Sequence, residues 1–261
     1  MMKNVELYVN QIKDDAIFIA KKIEKALLDN GYNITESEPN LVIGFGGDGT
    51  LIHWLRSTNY NTNSKYIGVN CGTLGFLQDF DITNPEVFVK NIPNYIEEKL
   101  NFVSLTLCTG NEVINYQALN EFNIKNNDDN SFIAKVMIEN VFLENLRGTG
   151  FIFSTPTGST AHNISSIGSI IYPGIEAIMM TPREAIVNSK IRCLPKSICI
   201  PKGIEITLFP VNDDDIKILS DGRKIYTGKY ERISISYSNK YMTKLTIKSN
   251  NFVSKIREKL I

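Results

Sequence analysis

The sequence predicts an α/β amino-terminal domain built on a parallel sheet, followed by a β-rich carboxyl-terminal domain. Two observations carry this. Strand and helix patterns alternate over the first hundred residues, and such alternation builds parallel sheets because each crossover takes a helix. Beyond residue 100, short apolar runs follow one another with few helical patterns between them. The expected domains are 1–100, joined by a carboxyl-terminal helix at about 240–261, and 101–239.

The elements follow in order. Residues 5 to 9 read as a short strand. Asp14 or Asp15 is placed to cap the next helix, whose Ala16, Ile19, Ala20, Ile23 and Leu27 recur at helical spacing until Gly31 stops it. A strand at 41–45, a helix from about Thr50 and a strand at 66–69 complete the α/β pattern. The runs FVSLTLC, EVINYQALNEFNIK, FIAKVMIENVFL and GFIFS are strand-like, as are IEITLFP, DIKILS, ERISISYS and KLTIKS. Asp221-Gly222 is a hairpin-type turn signal. NNDDN at 126–130 is a polar loop tip. The tail sets Phe252, Val253, Ile256 and Leu260 on one helical face, expected to pack on the first domain.

Composition excludes several classes. Lys+Arg and Asp+Glu are each 28 in 261 residues, so the basic excess that a nucleic-acid or membrane-surface partner calls for is missing. The four cysteines, Cys71, Cys108, Cys193 and Cys199, form no CxxC pair, and no histidine stands near them at metal-ligand spacing. Reduced thiols and no protein-held metal are expected. The amino terminus lacks the apolar core of a signal peptide. No apolar run nears the ~20 residues of a membrane helix. A cytoplasmic location is the expectation.

Three motifs carry chemistry. In LVIGFGGDGTLIH, residues 41 to 53, a strand ends in a glycine turn that opens a helix. Glycines admit a close ligand, and free N–H groups at the helix start favour an anion. The pattern GxxxxGK[ST] is absent, and no lysine follows Gly49. Asp48 beside phosphates makes sense if it holds a cation or accepts a proton from an attacking hydroxyl. The alternative is a helix-capping aspartate on a structural turn.

In YQALNEFNIK, strand alternation places Asn120 with Tyr116, Ala118, Phe122 and Ile124 on one face. That amide either satisfies backbone groups or meets a ligand hydroxyl. In GFIFSTPTGSTAH, residues 150 to 162, a strand runs into hydroxyls and a helix start near Ser159, which serves either as an anion and sugar binder or as a plain cap.

Together these stretches resemble the NAD kinase family. GGDGT at 46–50, GVNCGTLGF at 68–76, LNE at 119–121 and STPTGSTA at 154–161 fall in the family's order and spacing, and the resemblance covers most of the chain. Lipid kinases and phosphofructokinases carry strings like GGDGT. The lipid kinases usually follow it with a GTGND-like segment, where this chain reads CGTLGF. The resemblance implies a Rossmann-like α/β domain and a β-rich domain, with NAD in the cleft between them. It implies transfer of a phosphoryl group from ATP to the adenosine 2′-hydroxyl of NAD, with a divalent cation, magnesium, carried on ATP.

In that reading Asp48 orients or deprotonates the 2′-hydroxyl, and Gly49 lies against the nucleotide. Asn120 and Glu121 hold ribose hydroxyls. Thr160 and Ala161 line the pocket, and Leu74, Gly75 and Phe76 wall the cleft. Asn163 and Ser165 contribute across a subunit interface, and the assembly is a homodimer or homotetramer. The expected nucleotide-binding set also holds His53, Arg147, Thr149, His162, Ile186, Asn188 and Arg223. Thr149 stands where the family often has aspartate, His162 where it commonly has tyrosine, and Arg223 where it often has glutamine. His162 titrating near neutral pH would make NAD affinity depend on pH.

Three other readings compete: a kinase of another small hydroxyl substrate, a non-catalytic NAD or NADP sensor, and a serine hydrolase acting through Ser159. The absent G-x-S-x-G pattern counts against the last.

Overall fold

The computed structural model describes residues 3–72, 75–128, 130–189, 192–247 and 252–261. The chain divides into two compact units, 1–100 with 241–261, and 101–240. All four cysteines are free thiols. Among the described residues no helix is long and apolar enough to cross a membrane.

The first unit opens with β1 (Asn4–Val9), α1 (Asp14–Asp29), β2 (Asn33–Ile34), β3 (Leu41–Gly46), α2 (Asp48–Ser57), β4 (Lys65–Asn70) and α3 (Pro85–Asn91). Strands β2, β1, β3 and β4 lie side by side in that order, all parallel. Every residue of β3 is buried, as a strand covered on both faces requires. Its Leu41, Ile43 and Phe45 meet Ala16, Ala20, Ile23 and Leu27 of α1 in one core. Asp14 and Asp15 do not cap α1. They sit in its first turn behind Lys13, which makes no side-chain cap, and their charge complements the positive end of the helix dipole.

The second unit holds most of β5 (Ile96–Thr109), then β6 (Glu112–Ala118), β7 (Glu121–Asn126), β8 (Phe132–Ile138), β9 (Val141–Gly148), β10 (Gly150–Ser154), the four-residue α4 (His162–Ser165), β11 (Ala177–Arg183), β12 (Ile198–Pro201), β13 (Glu205–Pro210), β14 (Ile216–Ser220) and β15 (Arg223–Gly228). The order β12-β11-β10-β7-β14-β15 forms a six-stranded sheet, antiparallel throughout. A second set pairs β13 with β8, β8 with β9, and β5 with β6. Phe122, Phe151 and Phe153 from the first sheet and Val103, Val136 and Ile206 from the second share one core.

Three further expectations change here. Arg232–Ser238 of the run ERISISYS and Lys244–Thr246 of the run KLTIKS lie in a single strand, β16 (Arg232–Thr246), whose Thr243 and Lys244 pair with β4 of the first unit, while Lys248 and Ser249 of the second run lie outside the described residues. The run at 112–125 is two strands broken at Leu119-Asn120, so Asn120 is not on a strand face. The tail helix α5 (Phe252–Leu260) leaves Val253 and Leu260 exposed, and its buried side chain is Lys255.

Lys255 is buried because Asp79 waits for it. The Asp79 side chain is 1% exposed and lies between two ammonium groups, Lys255 and Lys244, the latter 2.8 Å away. Lys244 also reaches Glu98 at 2.9 Å. Burial pushes the Asp79 carboxyl up, but the two lysines outweigh it and hold it below the usual carboxylate range. Burial likewise pulls Lys244 down, while Asp79 and Glu98 outweigh it and raise it.

A depressed carboxylate adds stability above its unfolded pKa, near 3.8, and loses it as pH falls through the folded value. A raised lysine adds stability below 10.5 and loses it as pH climbs through the folded value. Removing one partner of a buried pair strands the other, at about 3–5 kcal/mol. Asp79→Asn should therefore cost about that much in urea unfolding at pH 7, and the melting curves of native and variant should converge only as pH falls below 3.8 and through the depressed folded pKa. A cost under about 1 kcal/mol would show the pair to be surface-like.

Candidate functional site

In the first unit the site is the turn between β3 and α2. Gly47 is the N-cap and Asp48 the first helical residue, so α2 opens two residues before the expected Thr50 and the aspartate is not the cap. Apart from their chain neighbours and the local helix backbone, no atom among the described residues lies within 4 Å of where a Cβ would sit on Gly47 or Gly49. The Asp48 carboxylate turns to the neighbouring loop, accepting the Phe76 N–H at 2.8 Å and the Leu77 N–H at 2.9 Å. Gly75 permits this approach, since a Cβ there would stand 2.0 Å from Asp48 Oδ1. The motifs GGDGT and LGF are thus joined through one carboxylate. A carboxylate offers about four lone-pair sites, and two amides leave room for a hydroxyl. The Asp48 side chain is 31% exposed.

Nearby, the half-buried Phe76 ring stands 6.0 Å from that of Phe252. His53 is exposed on α2, and its Nδ1 is hydrogen-bonded to the Tyr8 hydroxyl. Leu74 lies outside the described residues.

In the second unit the bend at 119–121 is the centre. Asp221, 8% exposed, points its carboxylate at that bend and accepts three backbone N–H groups, from Leu119 at 2.9 Å, Asn120 at 2.7 Å and Glu121 at 3.2 Å. Positive φ values of 47° at Asp221 and 81° at Gly222 make the tight hairpin turn that aims it there. From the other side, the Thr155 hydroxyl donates to the Leu119 carbonyl at 2.6 Å and accepts the Gly158 N–H at 3.0 Å. Gly158 has no alternative, since a Cβ would lie 2.0 Å from the Asn120 carbonyl oxygen. The segments LNE, STPTG and DG therefore form one knot. Asn120 is half-buried at its surface and Glu121 is 5% exposed.

The rest of the expected set divides. The Ile186 N–H donates to the Arg147 carbonyl at 2.8 Å, and the Thr149 N–H to the Arg183 carbonyl at 2.9 Å, so these four lie together. Thr160 and Ala161 are half-buried on the turn after Gly158. His162, Ser165, Ile186, Asn188 and Arg223 are exposed. Asn163 is a correction. It is fully buried, donates to the Ser159 and Ser169 carbonyls and accepts from Thr181, so its amide braces the chain and is not offered to a ligand.

Ser159 is likewise buried. It donates to the Pro156 carbonyl at 2.7 Å and accepts the Ile171 N–H at 3.0 Å, which removes it as an exposed nucleophile. The helix after it runs only from His162 to Ser165. Partial desolvation and the nearby Arg183 charge hold the His162 imidazole below its ordinary pKa.

Sequence reasoning missed Asp221, Thr155 and Arg183. The Asp-Gly pair signalled a turn, but nothing in one sequence says that the carboxylate points inward. Arg183, half-buried, donates to Asn123 at 3.3 Å. Replacing Asp221 with Ala should leave three amides short of a charged acceptor and cost about 2–4 kcal/mol. Hydrogen exchange at Leu119, Asn120 and Glu121 should quicken selectively. Unchanged exchange at those amides would contradict the bracing role.

Comparison with known proteins identifies the family. Residues 119–247 match the family model described as the ATP-NAD kinase C-terminal domain. An NAD kinase of Finegoldia magna is 30% identical over 271 residues, covering 99% of this chain and 98% of the relative. An NAD kinase of Streptococcus agalactiae is 33% identical over 233 residues, covering 87% and 80%. Among solved structures, yeast NADH kinase complexed with NADH superposes with a TM-score of 0.86 at 20% identity, over 99% of this chain and 87% of that one. An NAD kinase from Archaeoglobus fulgidus in complex with ATP gives 0.75 at 20% identity, over 98% of each chain. The structural likeness is one of fold, and the sequence likeness over almost the whole chain goes further: the chain belongs to the NAD kinase family.

Proposed function

We propose that this chain phosphorylates NAD, moving the γ-phosphoryl group of ATP to the 2′-hydroxyl of the adenosine ribose to give NADP. The observation that carries the reading is Asp48, a carboxylate fixed on an open glycine turn in a chain of this family. The 2′-oxygen bonds to the γ-phosphorus as the bond to the β–γ bridging oxygen breaks. ADP leaves with that electron pair, and the hydroxyl proton passes to Asp48 and on to solvent. Asp48 orients the hydroxyl through a lone pair that the Phe76 and Leu77 amides leave free. Asn120 and Glu121, set by the Asp221 and Thr155 knot, hold ribose hydroxyls. In this reading Gly49 and Phe76 in the first unit, and Thr160, Ala161, His162, Arg147, Thr149 and Ile186 in the second, are the nucleotide contacts that the family resemblance implies.

The divalent cation, magnesium, arrives on ATP. No cluster of three or more His, Cys, Asp or Glu side chains fit to hold a metal occurs among the described residues. Asp48 is the carboxylate that the turn offers it, and when bound it would neutralise phosphate charge. The assembly is a homodimer or homotetramer. The exposed Val141, Phe142 and Leu143 on the edge strand β9 support a further contact there.

The test is NADP formation from NAD, ATP and magnesium beside Asp48→Asn. The variant should lose about 100- to 10,000-fold in kcat while binding NAD within a few-fold of native by calorimetry. A variant that keeps more than about a tenth of the native rate removes the proton-accepting role. Native protein that binds NAD but forms no NADP makes the chain a sensor.

The position of His162 sets the pH dependence. With its pKa held below 6.5, the imidazole is neutral at pH 7. NAD affinity should therefore be flat from pH 7 upward, and any change due to His162 should fall below pH 6.5 and vanish in His162→Phe. A midpoint above pH 7 that His162→Phe abolishes would contradict this.

A further inference from the structure

The glycine turn carries no lysine of its own: Thr50, Leu51 and Ile52 follow Gly49. The fold brings one from the far end of the chain. Helix α5 belongs to the same compact unit as the turn. Lys255 anchors it, donating to the Phe76 carbonyl at 2.8 Å and to Asp79. Lys259 lies four residues on, on the same helix face. Its Nζ stands 3.6 Å from Asp48 Oδ2 and 4.9 Å from the centre of the Phe76 ring.

The two lysines are held differently. Lys255 is buried and fixed by short polar contacts. The Lys259 side chain is 26% exposed, and its pairing with Asp48 is longer than a hydrogen bond. Its three donors are thus free to turn to a stronger acceptor. Asp48 needs such a neighbour, since a carboxylate beside a phosphate repels it, and phosphoryl transfer is catalysed mainly by positioning and charge neutralisation.

We propose that Lys259 is a catalytic residue of the phosphoryl transfer, its ammonium moving from the loose pair with Asp48 to the non-bridging oxygens of the transferred phosphate. This rests on the phosphotransfer reading above. Lysine forms no bond to phosphorus and gives up no proton. It supplies the positive charge that the turn lacks, with Lys255 as the positioning residue that sets α5.

The experiment compares Lys259→Met, Lys259→Arg and, as an exposed control on α1, Lys25→Met. Steady-state kinetics should show kcat for Lys259→Met down about 100-fold with the KM for NAD little changed. Lys259→Arg should recover at least about a tenth of the native rate, and Lys25→Met should match native. Melting temperatures should stay level, because an exposed pair adds little to stability.

In parallel, calorimetry with inorganic tripolyphosphate should show about tenfold weaker binding to Lys259→Met alone. Native protein that makes NADP, with Lys259→Met within about twofold of its kcat, overturns the proposal and leaves the kinase reading intact. Native protein that makes no NADP, yet binds tripolyphosphate through Lys259, overturns the kinase reading and keeps the anion role. Tripolyphosphate binding indifferent to Lys259 overturns the anion role.

Discussion

The grip of Asp48 on the Phe76 and Leu77 amides is the interaction on which the first unit's site depends. It joins a glycine turn, which alone would be a bare anion site, to the loop that follows β4. A carboxylate held by two N–H groups has a fixed direction, and its remaining lone pairs point where those amides do not. Gly75 is what lets the loop close to that distance. The open faces of Gly47 and Gly49 leave the turn accessible.

Around this grip, charge is balanced twice. Deep in the unit, Asp79 is satisfied by Lys244 and Lys255, and the latter ties α5 to the Phe76 carbonyl. At the surface, Lys259 answers Asp48 loosely. The buried pairing fixes the helix, and the loose one stays available. The second unit meets the same problem with a different device. Asp221 gathers three amides so that a bend, and not a continuous strand, presents Asn120 and Glu121. In both units a carboxylate organises backbone N–H groups beside a motif, which uses charge-assisted hydrogen bonds where they are strongest.

Much of this was legible in the sequence, and the exceptions have physical causes. The apolar stripe of α1 was readable because helical spacing alone decides which residues meet the core. The turn at GGDGT was readable because glycines mark it. The bend at Leu119-Asn120 was not, because Asp221 imposes it from about a hundred positions away. The runs ERISISYS and KLTIKS read as separate strand-like runs, yet the exposed Asn239 and Lys240 between them lie within one strand, because an exposed stretch of a strand carries no apolar signal. The face of α5 misled in the opposite sense. Its apolar Val253 is exposed and its Lys255 buried, since an ion partner in the core can outweigh hydropathy. Asn163 read as a ligand contact from its place in a motif, while its burial shows an amide spent on the chain.

The central claim is that the fixed carboxylate directs one hydroxyl of NAD to the phosphoryl donor. Phosphorus-31 NMR of the product formed from NAD, ATP and magnesium tests it most directly. The account predicts one new monophosphate resonance, coupled to the proton on C2′ of the adenosine ribose, with ADP released in equal amount. A monophosphate at the 3′ position, a mixture of positions, or ADP released without a phosphorylated dinucleotide would contradict it.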